Sequence, residues 1–130
     1  MENLQRVLIV EDDNFLGDLL SDYLKKNEIK TSLAKDAETA LKMIHQDKPS
    51  LVLLDLLLPG MNGLELLEIL KNEGLVPELP VIILSNLSQK EKIEKAIDLG
   101  ANDFLVKASF DLNEITIKVK KVLGISEHAA

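Results

Sequence analysis

Residues 51–67 read LVLLDLLLPGMNGLELL, and this stretch decides the fold. It opens with a short apolar run, Leu51 to Leu54, which is typical of a strand buried on both faces of a sheet. Asp55 follows the run directly, and three more leucines follow Asp55. Leucines at positions 64, 67 and 70 then recur at the spacing of one buried helix face. The stretch therefore predicts a strand and a helix joined by a loop, with one carboxylate where the strand ends.

The same alternation continues on both sides of this stretch. Three further apolar runs, Val7 to Val10, Val81 to Leu84 and Phe104 to Val106, are also typical of strands buried on both faces. A weaker strand is predicted at Lys30 to Ala34, where polar and apolar residues alternate. Four more helical stripes are Phe15, Leu16, Leu19, Leu20 and Leu24; Ala37, Ala40, Leu41 and Ile44; Ile93, Ala96 and Ile97; and Leu112, Ile115, Val119, Val122 and Leu123. Strands alternating with helices require right-handed crossovers and a parallel sheet covered on both sides. Five such units are too few for a closed barrel, so we expect an α/β fold: a doubly wound, flavodoxin-like (βα)5 sheet with strand order 2-1-3-4-5.

Capping residues support the predicted helix ends. Ser88 precedes Glu91, and Asp111 precedes Glu114, at the spacing of a capping box. Gly100 is suited to a left-handed stop for the fourth helix.

The composition favours one domain and excludes several classes of function. With 130 residues, 46% of them hydrophobic, we expect one domain at residues 1–124 and a loose tail at residues 125–130. The net charge of −7 opposes direct contact with nucleic acid phosphates. No cysteine is present to form a disulfide or a thiolate metal site. The apolar run from Val7 is too short for a signal sequence or a membrane span, so a cytoplasmic location is expected.

Polar residues follow four of the predicted strands, at the point where each strand ends. They are Glu11, Asp12 and Asp13 after the first strand, Asp55 after the third, Ser85 and Asn86 after the fourth, and Lys107 after the fifth. In a sheet of this kind, ligands bind beyond the carboxyl ends of the strands. Clustered carboxylates repel one another unless a cation joins them, and hard oxygen ligands suit Mg²⁺. A lysine ammonium and a hydroxyl facing that ion would complete a cradle for a phosphoryl group, with Asp55 as the nucleophile.

Each of these residues also has an ordinary structural explanation. Asp12 or Asp13 could cap the first helix, and for either residue alone that explanation is about equally good. Ser85 could be a turn residue, and Lys107 a solvated lysine. Asp55 is different, because a charge between two runs of leucine is costly without a partner.

Four motifs, VLIVEDD, LVLLDLLLPGMNGLELL, PVIILSN and GANDFLVK, together resemble the receiver domain of bacterial response regulators, here of a stand-alone type. The resemblance runs from about Arg6 to Leu123. It implies that a histidine kinase or a phosphotransfer protein presents phosphohistidine to Asp55 in the presence of Mg²⁺. It also implies that Asp12 and Asp55 bind the metal directly, that the backbone carbonyl of Leu57 is a third ligand, and that Glu11 acts through water.

The resemblance gives roles to three further residues. Lys107 matches the lysine that pairs with the phosphoryl group, Ser85 the hydroxyl residue that moves toward it, and Phe104 the aromatic switch position. In the family that ring turns inward and remodels the face made by the fourth helix, fifth strand and fifth helix. Such a domain is not an enzyme in the usual sense, since it catalyses only its own phosphorylation and slow dephosphorylation. The implied partners are the phosphodonor and a downstream protein target, without direct nucleic acid contact or membrane insertion, and a phosphorylation-dependent dimer stays open.

The sequence departs from the family pattern at two places. Ala108 follows Lys107 where the family usually has proline, and a cis bond before a non-proline residue costs ~3 kcal/mol, so the loop is either strained or trans. Leu57 and Leu87 occupy positions that often carry polar side chains able to orient an attacking water. Because leucine cannot do this, we expect slow loss of phosphate from Asp55.

Other interpretations are weighed against this one. A pseudo-receiver, which uses the fold as a protein-binding module without phosphorylation, is disfavoured by the complete set of acids, serine and lysine. A small-molecule phosphatase would need a second carboxylate as general acid, and Leu56 and Leu57 supply none. Leu16, Leu19 and Leu20 could serve kinase docking, but core packing explains them at least as well.

Overall fold

The computed structural model describes residues 5–109 and 111–125, apart from the side chain of Leu87. Within them, strands and helices alternate in the predicted order. The strands are β1 (Arg6–Val10), β2 (Lys30–Ala34), β3 (Leu51–Asp55), β4 (Val81–Ser85) and β5 (Asp103–Val106). The helices are α1 (Asn14–Lys26), α2 (Ala37–Gln46), α3 (Gly63–Asn72), α4 (Lys90–Leu99) and α5 (Leu112–Leu123), and a 3₁₀ turn at Leu87–Gln89 precedes α4.

The five strands form one parallel sheet in the order β2-β1-β3-β4-β5, as predicted. Val10 pairs with Leu54, and Leu54 pairs with Ile83 in the next strand. Ser85, at the end of β4, pairs with Val106 at the end of β5. This register brings the carboxyl ends of β1, β3, β4 and β5 to one edge of the sheet.

Side chains from alternate positions of the central strands enter two separate cores. Leu8, Val52 and Leu54 face one core, which α2, α3 and α4 cover. Ile9 and Leu53 face the other core, which α1 and α5 cover. Both faces of β3 are therefore closed to water, as expected of a central strand in a doubly wound sheet.

The expectation of burial on both faces is wrong for β5. Leu105 is buried, but Phe104 is 37% exposed. The reason is position, because β5 is an edge strand and is covered less completely than the central strands.

The predicted apolar face of α1 is also only partly correct. The buried residues are Gly17, Leu20, Ser21 and Leu24, whereas Phe15 is 78% exposed and Leu19 is 37% exposed. Leu16 packs against the edge of the core. Of the three leucines with two explanations, Leu20 is therefore a core residue and Leu19 is the most exposed.

Helix ends follow the predicted caps at two of three places. Asp111 caps α5 by accepting a hydrogen bond from the amide of Glu114 at 2.7 Å, and Gly100 ends α4 with a φ of 120°. Ser88 is not the cap of α4, because it lies in the 3₁₀ turn and α4 begins two residues later, at Lys90. In the described ranges, no helix combines the length and apolarity needed to cross a membrane. Most of the predicted tail, residues 126–130, lies outside the described residues.

Candidate functional site

The carboxyl edge of the sheet brings together the residues that the sequence singled out. Glu11 and Asp12 lie in the loop directly after β1. Asp55 and Ser85 are the last residues of β3 and β4, and Lys107 is the first residue after β5. Because the strands are parallel, residues from the ends of four different strands share one site.

Lys107 links two of the carboxylates. Its Nζ atom lies 2.8 Å from Oδ2 of Asp55 and 2.9 Å from Oε1 of Glu11. Its backbone amide donates to the carbonyl of Ser85 at 2.8 Å, which fixes the start of the loop. Among the described peptide bonds the cis one is Val76–Pro77, so the bond before Ala108 is trans. The lysine thus reaches the site without the cis bond that the family pattern led us to consider.

The Asp55 side chain is held from two directions. It is only 2% exposed, and its Oδ1 atom accepts a hydrogen bond from the amide of Leu57 at 2.9 Å. The pairing of β3 with β4 continues one residue beyond Asp55, because the Leu56 amide donates to the carbonyl of Leu84 at 3.3 Å. The carboxylate therefore has a fixed direction before any ligand arrives. Metal binding by the Leu57 carbonyl stays a prediction.

The two neighbouring acids after Glu11 have different surroundings. The Oδ1 atom of Asp13 accepts from the amides of Phe15 at 2.9 Å and Leu16 at 3.2 Å, so Asp13 is the N-cap of α1. The Asp13 amide also donates to Oε2 of Glu11 at 3.1 Å. Asp12 is exposed, and its carboxylate belongs to the acidic cluster instead. The choice between cap and cluster is thereby resolved for both residues.

The acidic cluster consists of Glu11, Asp12 and Asp55, with one carboxylate oxygen from each lying within 4.8 Å of the others. The pKa of Glu11 is raised to about 7, chiefly by burial and also by the Asp55 charge, and these effects outweigh the lowering by Lys107 and by the Asp13 amide. Burial lowers the pKa of Lys107, but its hydrogen bond to Asp55 and its contact with Glu11 outweigh this and leave the pKa above its usual value. The Lys107 ammonium thus pairs with two acids of the cluster, Glu11 and Asp55.

This cluster fits a divalent cation. The Oε1 atom of Glu11 is buried and close to Lys107, but the geometry of that contact is not that of a hydrogen bond, so the oxygen has no hydrogen-bond partner within the described residues. Lys107 pairs with it in a salt bridge at 2.9 Å, but one ammonium group cannot balance the charge of three clustered carboxylates. Carboxylate oxygens are the ligands that Mg²⁺ prefers. The set of oxygen ligands and its excess negative charge both suit this ion.

Ser85 and Phe104 lie on neighbouring strands, one buried and one partly exposed. The Ser85 side chain is buried at the end of β4, and its hydroxyl donates to the carbonyl of Asn86 at 3.3 Å. The Phe104 ring lies outside the core, with Nζ of Lys118 5.7 Å from its centroid. Lys118 also donates to the Phe104 carbonyl at 2.9 Å. These contacts hold β5 to α5 with the ring facing outward.

Sequence reasoning missed two features of the site. One is the set of backbone amides, from Asp13 and Leu57, that bind the carboxylates of Glu11 and Asp55. No side-chain pattern reveals such amides. The other is Gly63, the first residue of α3, which touches the backbone of Asp55. A signal for it was present, because Asn62 and Glu65 have the spacing of a capping box that places Gly63 at the start of a helix.

Comparison with known proteins agrees with this fold. The family model described as "Response regulator receiver domain" matches residues 7–120, and the chain belongs to this family. The phosphate regulon transcriptional regulatory protein PhoB of Escherichia coli is 29% identical over 119 residues, which are 92% of this chain and 52% of that protein. The receiver domain of NtrX from Brucella abortus is 34% identical with a TM-score of 0.84, covering 92% of this chain and 99% of that one. A CheY-like receiver domain protein from Methanospirillum hungatei is 29% identical with a TM-score of 0.85, covering 94% and 95%.

Membership in this family defines the general role of the chain. Receiver domains are phosphoacceptor signalling domains of two-component systems rather than enzymes in the usual sense. They bind Mg²⁺ at an acidic pocket and interact with histidine kinases and downstream effectors. The chain spans about half the length of PhoB and about half the length of the transcriptional regulatory protein BaeR of Escherichia coli, another curated relative that it matches.

Proposed function

We propose that this chain takes a phosphoryl group onto Asp55 from the phosphohistidine of a histidine kinase or a phosphotransfer protein. The observation that carries this proposal is the Asp55 carboxylate itself. It is buried at the end of β3, held by the Leu57 amide, and lies 2.8 Å from the Lys107 ammonium. A buried carboxylate in a fixed direction, beside a cation that can bind phosphoryl oxygens, is suited to in-line attack on phosphorus.

The transfer forms one bond and breaks one. A carboxylate oxygen of Asp55 bonds to phosphorus, and the P–N bond of phosphohistidine breaks with its electron pair leaving on the imidazole. The product on this chain is an acyl phosphate. Lys107 stabilises the charge on the phosphoryl oxygens, because its ammonium lies beside the attacking group before the reaction begins.

Glu11, Asp12, Asp55 and the carbonyl of Leu57 would hold Mg²⁺. When bound, the ion supplies positive charge against the phosphoryl oxygens and lessens repulsion between them and the attacking carboxylate. The clustering of three carboxylate oxygens within 4.8 Å supports this assignment. Asp12 and Asp55 are the direct ligands in this proposal, and Glu11 acts through water.

Phosphorylation then shifts the equilibrium between two conformations of the face made by α4, β5 and α5. Ser85 moves toward the phosphoryl group, and the Phe104 ring turns inward into the space that the hydroxyl leaves. The buried Ser85 hydroxyl and the outward Phe104 ring, on paired strands, support this order of events. The face of α4, β5 and α5 changes shape and is read by a protein target.

The partners and boundaries follow from charge and fold. The net charge of −7 favours protein partners over direct contact with nucleic acid. We place the chain in the cytoplasm, together with the histidine kinase that phosphorylates it. We assign residues 1–124 to the receiver domain and residues 125–130 to a tail, because Gly124 ends α5 in the left-handed conformation.

Mass spectrometry after incubation with acetyl phosphate and Mg²⁺ tests the proposal. We expect the mass to increase by one phosphoryl group, and we expect no increase with Asp55→Asn or in the presence of EDTA. Asp18→Asn, on an exposed part of α1, is the matched control and should still gain the group. No gain in the wild type, or a gain that survives Asp55→Asn, would favour the pseudo-receiver.

A further inference from the structure

We infer that Gly63 is a positioning residue for the phosphoacceptor site: its missing side chain lets α3 begin directly against the Asp55–Leu56 backbone and so sets the direction of the Asp55 carboxylate. This inference rests on the proposed function of Asp55. It concerns a residue that contacts no ligand and acts through its neighbours.

The contact between Gly63 and β3 leaves no room for a side chain. A Cβ atom built on Gly63 would lie 2.5 Å from the Asp55 carbonyl oxygen and 2.8 Å from the Leu56 Cα atom. Both are backbone atoms, so neither can rotate away as a flexible side chain could. The Gly63 backbone is not in the left-handed region, and the requirement for glycine here is therefore one of space alone.

The backbone that Gly63 touches is the one that orients Asp55. The Gly63 amide donates to the Leu56 carbonyl at 3.1 Å, which closes the loop between β3 and α3. The next residue in that loop, Leu57, provides the amide bound to Oδ1 of Asp55. Any displacement of the Asp55–Leu56 peptide would thus move both the carboxylate and the amide that holds it.

The start of α3 cannot easily move instead. Asn62 and Glu65 form a reciprocal capping box, with both hydrogen bonds at 2.9 Å. Two turns of α3 bury Leu66, Leu67 and Leu70 in the core against β3. A side chain at Gly63 would therefore transmit its displacement to the site rather than to the helix.

Gly17 offers a matched control on another helix. It is also a buried helical glycine, but a Cβ atom there would meet only the Leu33 side chain, at an ordinary contact distance of 3.5 Å. Since alanine is the better helix former, Gly17→Ala should raise the unfolding midpoint and leave the site unchanged.

The experiment compares wild type, Gly63→Ala and Gly17→Ala by titrating Mg²⁺ and following the Leu57 amide resonance by NMR. Circular dichroism checks that each protein is folded, with an osmolyte added if Gly63→Ala is only partly folded. We expect Gly63→Ala to bind Mg²⁺ about tenfold or more weakly, which is the usual effect of disturbing the groups that orient a metal ligand. Phosphorylation by acetyl phosphate should slow at low Mg²⁺ and partly recover at saturating Mg²⁺.

An unchanged Mg²⁺ affinity in folded Gly63→Ala would overturn the inference and leave Gly63 with a packing role only. Failure to fold even with osmolyte would also overturn it, since the residue would then be a requirement of folding. Equal weakening by Gly17→Ala would do the same. A wild type that binds Mg²⁺ but accepts no phosphoryl group would instead contradict the proposed function, while the Mg²⁺ affinities would still decide the role of Gly63.

Discussion

Lys107 reaches Asp55 across the end of β4, with its Nζ atom 2.8 Å from Oδ2, although the peptide bond that follows Lys107 is trans. The contact is made by a lysine that follows edge strand β5 and an aspartate that ends central strand β3. The backbone at Lys107 is fixed by the hydrogen bond from its amide to the Ser85 carbonyl. Alanine after the lysine is therefore compatible with the approach of the ammonium group to the acidic cluster.

Replacing Lys107 with methionine should slow phosphorylation more than it weakens Mg²⁺ binding. The variant keeps most of the side-chain length but removes the charge that stabilises the phosphoryl oxygens, which should lower the rate about 10²-fold. Mg²⁺ affinity should hold or rise, because Glu11 and Asp55 lose a competing cation. Time courses by mass spectrometry measure the rate, with exposed Lys121→Met as the control. Equal rates for the two variants would contradict the role given to Lys107.

Asp12 and Asp13 are neighbours for which we expect opposite outcomes. Mg²⁺ at a hundredfold excess over its dissociation constant should stabilise the wild type by about 2.7 kcal/mol in urea unfolding. Asp12→Ala should bind about tenfold more weakly and lose about 1.4 kcal/mol of that gain, with little change in stability without Mg²⁺.

Asp13→Ala should instead lower the stability without Mg²⁺ by about 1 kcal/mol, because Asp13 caps α1. Its Mg²⁺ gain should stay near that of the wild type, since the amide that binds Glu11 belongs to the backbone and is retained. If Asp13→Ala lost the Mg²⁺ gain and Asp12→Ala kept it, the two roles would have to be exchanged.

Strand order and site edge could be predicted because both depend on patterns that are long and repeated. Apolar runs and helical stripes fix the alternation of elements, and parallel pairing then forces Asp55, Ser85 and Lys107 to one edge. The prediction needed no knowledge of distances. It depended only on each polar residue coming directly after a strand.

Other details depend on packing or on the backbone, and a single sequence does not contain them. Phe15 is as apolar as a core residue, but it lies on the side of α1 away from Gly17 and Leu20, and it is therefore exposed to solvent. Ser88 has the spacing of a cap, but a 3₁₀ turn takes up that position. The amide of Leu57, which orients Asp55, is available at every residue and so carries no sequence signal.

The exposure of the Phe104 ring should fall on phosphorylation. The ring is 37% exposed with the Lys118 ammonium beside it, and the proposed switch turns it inward. Fluorine NMR of protein labelled with fluorophenylalanine measures this, with resonances assigned by Phe→Leu variants. We expect the Phe104 signal to shift and to become less sensitive to a soluble paramagnetic agent after phosphorylation, while that of exposed Phe15 keeps its sensitivity. An unchanged Phe104 signal in fully phosphorylated protein would contradict the switch.

The lifetime of the acyl phosphate should depend on Leu57. Its side chain is 44% exposed two residues beyond Asp55, and it offers no polar group to orient an attacking water, whereas the Leu87 side chain at the second such position lies outside the described residues. We expect the purified phosphoprotein to lose its phosphate slowly, and Leu57→Gln to shorten the half-life by up to about tenfold, because an amide can hold a water near phosphorus. Leu19→Gln, at a leucine of similar exposure on α1, is the control. Mass spectrometry at timed intervals after removal of acetyl phosphate gives the half-lives, and a wild-type value of seconds would contradict this account of Leu57.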